Sequence, residues 1–139
     1  MKINPFVIWL LRSPLHRFLS RTTMLVTYQG RKTGRNVTLP VNYVRDEETI
    51  WTLSVGKRAW WRNFRTPTPA VLRLAGRDLP VQGVAVTAAP DMLVGLSIFF
   101  KGLPQAARYL KIWFDENGEP DPDDLREAAE GRVLLRFDP

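Results

Sequence analysis

The chain has 139 residues, about one domain by length, with 45% hydrophobic side chains and a formal net charge of +6. It has no cysteine and a single histidine, His16, which excludes disulfides, thiolate nucleophiles, cysteine-type zinc sites and His-rich metal sites. Charge is uneven, with 14 Lys and Arg against 3 acids in residues 1–77 and 6 against 11 in residues 78–139, so a locally held anionic ligand fits better than an evenly charged coat.

Residues 1–21 read as a helical arm. Asn4-Pro5 and Ser13-Pro14 each have the form of an N-cap followed by proline at the first helical position. The apolar run Phe6 to Leu11 is too short to span a bilayer and has no small-residue cleavage site, so no secretory or transmembrane segment is expected. Two readings of the arm stay open. It packs on the body of the protein or a partner, or residues 5–21, with Trp9, Arg12, Arg17 and Arg21, rest on an anionic membrane surface.

Residues 22–88 read as strands. Met24 to Gln29 alternates as a first strand, and Val37, Leu39, Val41 and Tyr43 share one face of a second, with Thr38 and Asn42 on the other. Pro40 inside that second strand requires an edge position or a bulge. Between them lies Gly30-Arg31-Lys32-Thr33-Gly34-Arg35, three cations and two glycines in six residues. Glycine permits φ > 0, so successive N–H groups can turn inward on an anion while the cations and the Thr33 hydroxyl add bonds of their own. It is not a P-loop, because Arg35 follows the second glycine and a strand follows Arg35. The alternative is a solvated basic hairpin turn.

Arg45 to Glu48 form the next turn, Ile50 to Val55 a third strand, Ala70 to Ala75 a fourth, and Gly76-Arg77-Asp78 turns into a fifth from Leu79 to Ala88. Between the third and fourth lies Gly56-Lys57-Arg58-Ala59-Trp60-Trp61-Arg62-Asn63-Phe64-Arg65. As a helix it stacks Trp60 on Phe64 and lines up Arg58, Arg62 and Arg65. Indole faces, an amide and cations suit a flat anionic heteroaromatic ligand, although tryptophans that merely plug a barrel give the same pattern. Single-stranded nucleic acid also binds aromatics among cations, but here the aromatics are not spread along strand faces, and no nucleic-acid partner is expected.

Residues 90–130 read as helical. Met92, Leu93, Leu96, Phe99 and Phe100 form one apolar face, Pro104 breaks the helix before Ala106 to Leu110, and Asp121-Pro122 starts a helix that Gly131 ends. A closing strand, residues 132–137, places Val133, Leu135 and Phe137 on one face. The expected architecture is a mainly β domain over residues 1–139 with peripheral helices, its six strands forming an antiparallel barrel. A Ser-His-Asp triad would have to use His16, far in sequence from any acid, and Asp46, Glu47 and Glu48 sit together in one turn. Chemistry, if there is any, falls to a bound cofactor.

The basic hexapeptide, Leu39-Pro40-Val41 with Tyr43, Ser54-Val55-Gly56-Lys57, and Trp60-Trp61 with Asn63-Phe64 together resemble the deazaflavin (F420)-dependent nitroreductase family, of nitroreductase and quinone-reductase type, in the split β-barrel flavin-binding superfamily. The likeness runs from about Met24 to Val86, and the segment from Asp115 to Pro139 is similar to one branch. It implies a six-stranded split β-barrel of the FMN-binding type holding coenzyme F420, with hydride transfer to a quinone, enone or nitroaromatic acceptor. Gly30, Arg31, Lys32, Thr33, Gly34 and Arg35 would hold the phosphate and acidic tail. Pro40, Ser54, Gly56, Lys57, Trp60, Trp61 and Asn63 would line or flank the ring, and Tyr109, with Phe99 and Phe100 nearby, Tyr43 or Ser54 would serve as proton donor.

Thr33 stands where the family usually has serine and keeps its hydroxyl, whereas the stretch from Gly56 to Trp60 is short, lacks the family's proline and carries charge in place of a second glycine. FMN is therefore the alternative cofactor. A non-catalytic cofactor or lipid carrier is the alternative function. The expected setting is the cytoplasm or the inner membrane face, as a monomer or homodimer.

Overall fold

Alternating side chains fix two faces on every strand, and the computed structural model, which describes residues 22–56 and 58–139, shows what each face meets. Seven strands, β1 (Thr23–Gln29), β2 (Asn36–Asn42), β3 (Val44–Asp46), β4 (Thr49–Val55), β5 (Thr68–Leu74), β6 (Arg77–Val86) and β7 (Arg132–Asp138), form one antiparallel sheet. Their order is β2-β1-β5-β6-β7-β4-β3. A five-residue 3-10 helix, Trp60–Phe64, joins β4 to β5, and helices α1 (Ala89–Gly102), α2 (Pro104–Tyr109) and α3 (Pro122–Ala129) precede β7. The arm expected over residues 1–21 and the side chain of Lys57 lie outside the described residues.

The two edge strands, β2 and β3, are consecutive in the chain with only Tyr43 between them. The sheet therefore curls until its edges meet. Pro40 sits on β2, where its missing N–H costs no ladder bond. The mainly β architecture with peripheral helices matches the expectation from the sequence. The seventh strand is β3, read there as part of a turn: Val44 and Arg45 pair with Trp51 and Ile50, and only Glu47 and Glu48 remain in the bend.

Inside the curled sheet, Met24, Val26 and Tyr28 of β1, Leu39 of β2, Ile50 of β4, Leu72 of β5, and Leu135 and Phe137 of β7 form one buried cluster with Tyr43, Trp60 and Phe64. Phe64 fills its centre, meeting Tyr28, Trp60 and Phe137 edge to face at centroid distances of 5.3, 6.0 and 5.5 Å. The opposite face of β4 and β7 presents Trp51 and Leu134 to Leu96, Phe99 and Phe100 of α1, Ala107 of α2 and Leu125 of α3. The start of α3 is as its sequence implies, with Asp121 Oδ1 accepting the Asp123 N–H at 2.8 Å and Pro122 at the first position. Among the described residues no helix is long and apolar enough to cross a membrane, and no group of His, Asp or Glu could hold a metal ion.

Gly83 of β6 makes the barrel filling possible. A Cβ there would come within 2.6 Å of the Phe137 ring and 2.9 Å of the Phe64 ring, and both rings are fully buried. Gly83→Ala gains roughly 0.4–1 kcal/mol from a stiffer unfolded chain, but overpacking typically costs about 1–3 kcal/mol. A net loss of stability is expected, read as a lower midpoint in urea unfolding at unchanged slope. A midpoint equal to or above wild type would contradict this packing.

Candidate functional site

The hairpin loop between β1 and β2 holds the basic hexapeptide, and hydrogen bonding within it sets its shape. Gly34 N–H donates to Gly30 O at 2.9 Å, Gly30 N–H to Arg35 O at 2.8 Å, and Arg35 N–H to Thr33 Oγ1 at 3.3 Å. Gly34 alone of the two glycines takes a positive φ, 69°. With Arg31 N–H also engaged, by Asn63, four of the six loop amides donate within the protein. The inward nest of amides expected from two glycines is correspondingly reduced. What the loop offers an anion is chiefly the exposed side chains of Arg31, Lys32 and Arg35.

The 3-10 helix lies against this loop. Asn63 Oδ1 accepts the Arg31 N–H at 2.9 Å, Asn63 Nδ2 donates to Trp60 O at 2.9 Å, and Asn63 O accepts from the Thr68 hydroxyl at 2.8 Å. Trp61 is half-buried. Its indole N–H donates to Gly56 O at 3.0 Å, while the guanidinium groups of Arg62 and Arg65 lie 5.9 and 5.3 Å from its ring centroid. Gly56 in turn donates its N–H to Gly131 O at 2.7 Å.

Trp60 faces a cleft of 520 Å³ between the β2–β4 edge of the sheet and the junction of α1 with α2. Pro40, Ser54, Trp60 and Arg58 line it, and Phe99 and Leu103 form its helical wall. Ser54 is buried, its hydroxyl 3.3 Å from Val55 O. The cleft is thus mainly apolar, with a hydroxyl and a guanidinium at its margin, a lining suited to a flat organic molecule. Its helical wall is not among the site residues expected from the sequence. Phe99 there reads as part of the apolar helix stripe, Leu103 carries no signal of its own, and only the position of α1 over β4 aims the two at the cleft.

Three expected proton donors separate in space. Ser54 lines the cleft. Tyr43 is buried within the barrel cluster, its phenol pushed up by burial, with Arg45 pulling the other way. Tyr109, at the end of α2, is 84% exposed and borders a different groove, beside Lys111 and Glu127. Of the three, Ser54 alone lines this cleft, with Phe99 of α1 across from it.

Several solved structures share this architecture. An F420-H2-dependent reductase superposes with a TM-score of 0.60 at 15% identity, over 86% of this chain and 96% of that one. A domain-swapped dimer gives 0.55 at 15% identity, over 84% and 81%. A FAD-binding protein from Mesorhizobium loti gives 0.53 at 9% identity, over 90% and 88%. The fold is a split β-barrel. No protein-family model and no curated protein matches the chain, so the likeness lies in the fold.

Burial raises the phenols of both Tyr28 and Tyr43, which gives a pH dependence of definite sign. Above about pH 10 the unfolded chain releases phenolic protons that the native protein retains. The stability these residues contribute is complete below that pH and is lost as pH rises toward their raised native values. Urea midpoints should fall across this alkaline range, and less steeply in a Tyr28→Phe, Tyr43→Phe double variant. Equal slopes in the two proteins would show that the phenols titrate alike folded and unfolded.

Proposed function

We propose that the chain is a cytoplasmic reductase that binds a deazaflavin cofactor, coenzyme F420, and transfers hydride to an electron-poor organic acceptor, with FMN as the alternative cofactor. The observation that carries this reading is the bond from the Arg31 amide of the basic loop to Asn63, on the same 3-10 helix that carries the Trp60 wall of the cleft. A 3-10 helix rises about 2 Å per residue, so Trp60 and Asn63 stand roughly 6 Å apart along its axis. That offset suits a flat ring at Trp60 whose flexible arm carries a phosphate to the loop. The shared split-barrel fold of an F420-H2-dependent reductase and a FAD-binding protein supports a ligand of this class.

In this reading Arg31, Lys32 and Arg35 hold the phosphate and any acidic tail by charge-assisted bonds. Pro40, Ser54, Gly56 and Trp60 border the ring, Trp61 backs it, and Asn63 ties the loop to this segment. When bound, the cofactor supplies the hydride chemistry. The chain supplies position and shielding, with Phe99 and Leu103 keeping water from the acceptor. The Ser54 hydroxyl is the best-placed proton donor of those named, because it alone lines the cleft. A homodimer is part of the proposal, as one structure of this fold is a domain-swapped dimer.

The test is a titration of cofactor-free protein with F420 and, separately, FMN, following quenching of tryptophan fluorescence. Saturable quenching is expected, and Lys32→Ala combined with Arg35→Ala should weaken it by about tenfold or more, since each charged hydrogen bond contributes roughly 1.5–3 kcal/mol. Unchanged affinity would remove the loop from the site. No quenching by either compound would overturn the cofactor reading.

A further inference from the structure

The side-chain amide of Asn63 commits one acceptor and one donor position to the protein itself. Its Oδ1 accepts the Arg31 N–H and its Nδ2 donates to Trp60 O, both at 2.9 Å. These two bonds run to different parts of the site. Arg31 belongs to the anion loop, 32 residues away in sequence, and Trp60 is the aromatic wall of the cleft.

We propose that Asn63 is a positioning residue that fixes the anion loop at a set offset from the aromatic wall, and so makes the site selective for ligands that carry a ring and a phosphate on one molecule. The proposal rests on the cofactor reading above. Its physical basis is effective concentration: once a ring sits at Trp60, its tethered phosphate meets cations already in place only if the loop is held at the matching distance. Within the loop, the Gly30–Gly34 and Gly30–Arg35 bonds shape the hairpin but do not orient it toward the 3-10 helix. The Arg31 amide to Asn63 Oδ1 bond does, because it joins the two segments directly.

The other face of the 3-10 helix is anchored independently. Phe64 is fully buried among Tyr28, Trp60 and Phe137, and the Thr68 hydroxyl bonds the Asn63 carbonyl at 2.8 Å. Loss of the Asn63 side chain therefore leaves the ring wall supported and releases chiefly the loop. This separates positioning from general structural support, because a ligand without a phosphate should not sense the change.

The experiment measures quenching affinities for whichever coenzyme the wild type binds, F420 or FMN, and for its phosphate-free counterpart, 8-hydroxy-5-deazariboflavin or riboflavin. Asn63→Ala is expected to weaken the phosphorylated ligand by about tenfold and the phosphate-free ligand by less than about twofold, while Thr68→Val leaves their ratio unchanged. Amide exchange at Arg31 in the ligand-free protein should accelerate in Asn63→Ala, which reads the tie itself. Equal losses for both ligands, or no loss for either, would overturn the positioning role while leaving the cofactor reading intact. Failure of the wild type to bind either coenzyme would instead overturn the cofactor reading, and the positioning role with it.

Discussion

Closure of the sheet through Tyr43 is the constraint on which the rest of the architecture depends. Because β2 and β3 are separated by one residue yet occupy opposite ends of the strand order, the sheet can satisfy both positions only by curling into a barrel. Tyr43 N–H extends the β1–β2 ladder by donating to Thr22 O at 3.0 Å, and the buried Thr52 hydroxyl of β4 reaches across to donate to Asn42 O at the end of β2. The curl brings the two edge strands of the sheet together without a ladder between them. It also creates the inside that Tyr43 itself occupies and sets Pro40 and Ser54 on one cleft, from β2 and β4.

A closed barrel needs its ends filled, and the 3-10 helix serves that purpose with one side while presenting the site with the other. Phe64 points into the core, Trp60 is buried between the core and the cleft, Trp61 and Asn63 remain half-buried, and Arg62 and Arg65 are exposed. The inner contacts are several rings packed edge to face, worth roughly 0.5–1.5 kcal/mol per aromatic pair beyond their burial. A functional segment anchored this way keeps its geometry without a long regular helix, which five residues could not sustain alone. The fit of Phe64 explains why β6 carries glycine at position 83, where any side chain would meet that ring.

Much of this was legible in the sequence because the signals were local. The alternation of Val37, Leu39, Val41 and Tyr43 gave the inward face of β2 correctly, Pro40 marked the edge, and Asp121-Pro122 marked the start of α3. β3 was hidden because three residues carry too little alternation, and the acids that follow it read as a turn. The site was legible as two clusters, the basic loop and the tryptophan segment. Their connection was not, because the Arg31–Asn63 bond joins positions 32 residues apart and no composition or spacing encodes which backbone amide an asparagine meets. The helical wall of the cleft was missed for a related reason: Phe99 follows the same periodicity as residues that only fill the core, and Leu103 carries no signal of its own.

The charge distribution completes the link from fold to function. Residues 22–45 and 56–77 contain no acid, and the only acids before Asp78 are Asp46, Glu47 and Glu48. Those lie at the β3–β4 bend, where Asp46 pairs with Thr49, whereas Ser54 at the cleft lies five residues further along β4. At about 3.4 Å per residue that separation is roughly 17 Å, twice the screening length of about 8 Å at physiological ionic strength. The acidic bend therefore does little to neutralise the loop and the 3-10 helix. Arg62 and Arg65 lie over Trp61, and Arg31 belongs to the basic loop and bonds the same 3-10 helix through its amide, so these segments carry cations without a neighbouring acid in their own sequence. On the proposed function, an anion bound there would be attracted by these cations and its binding would offset the cost of their proximity.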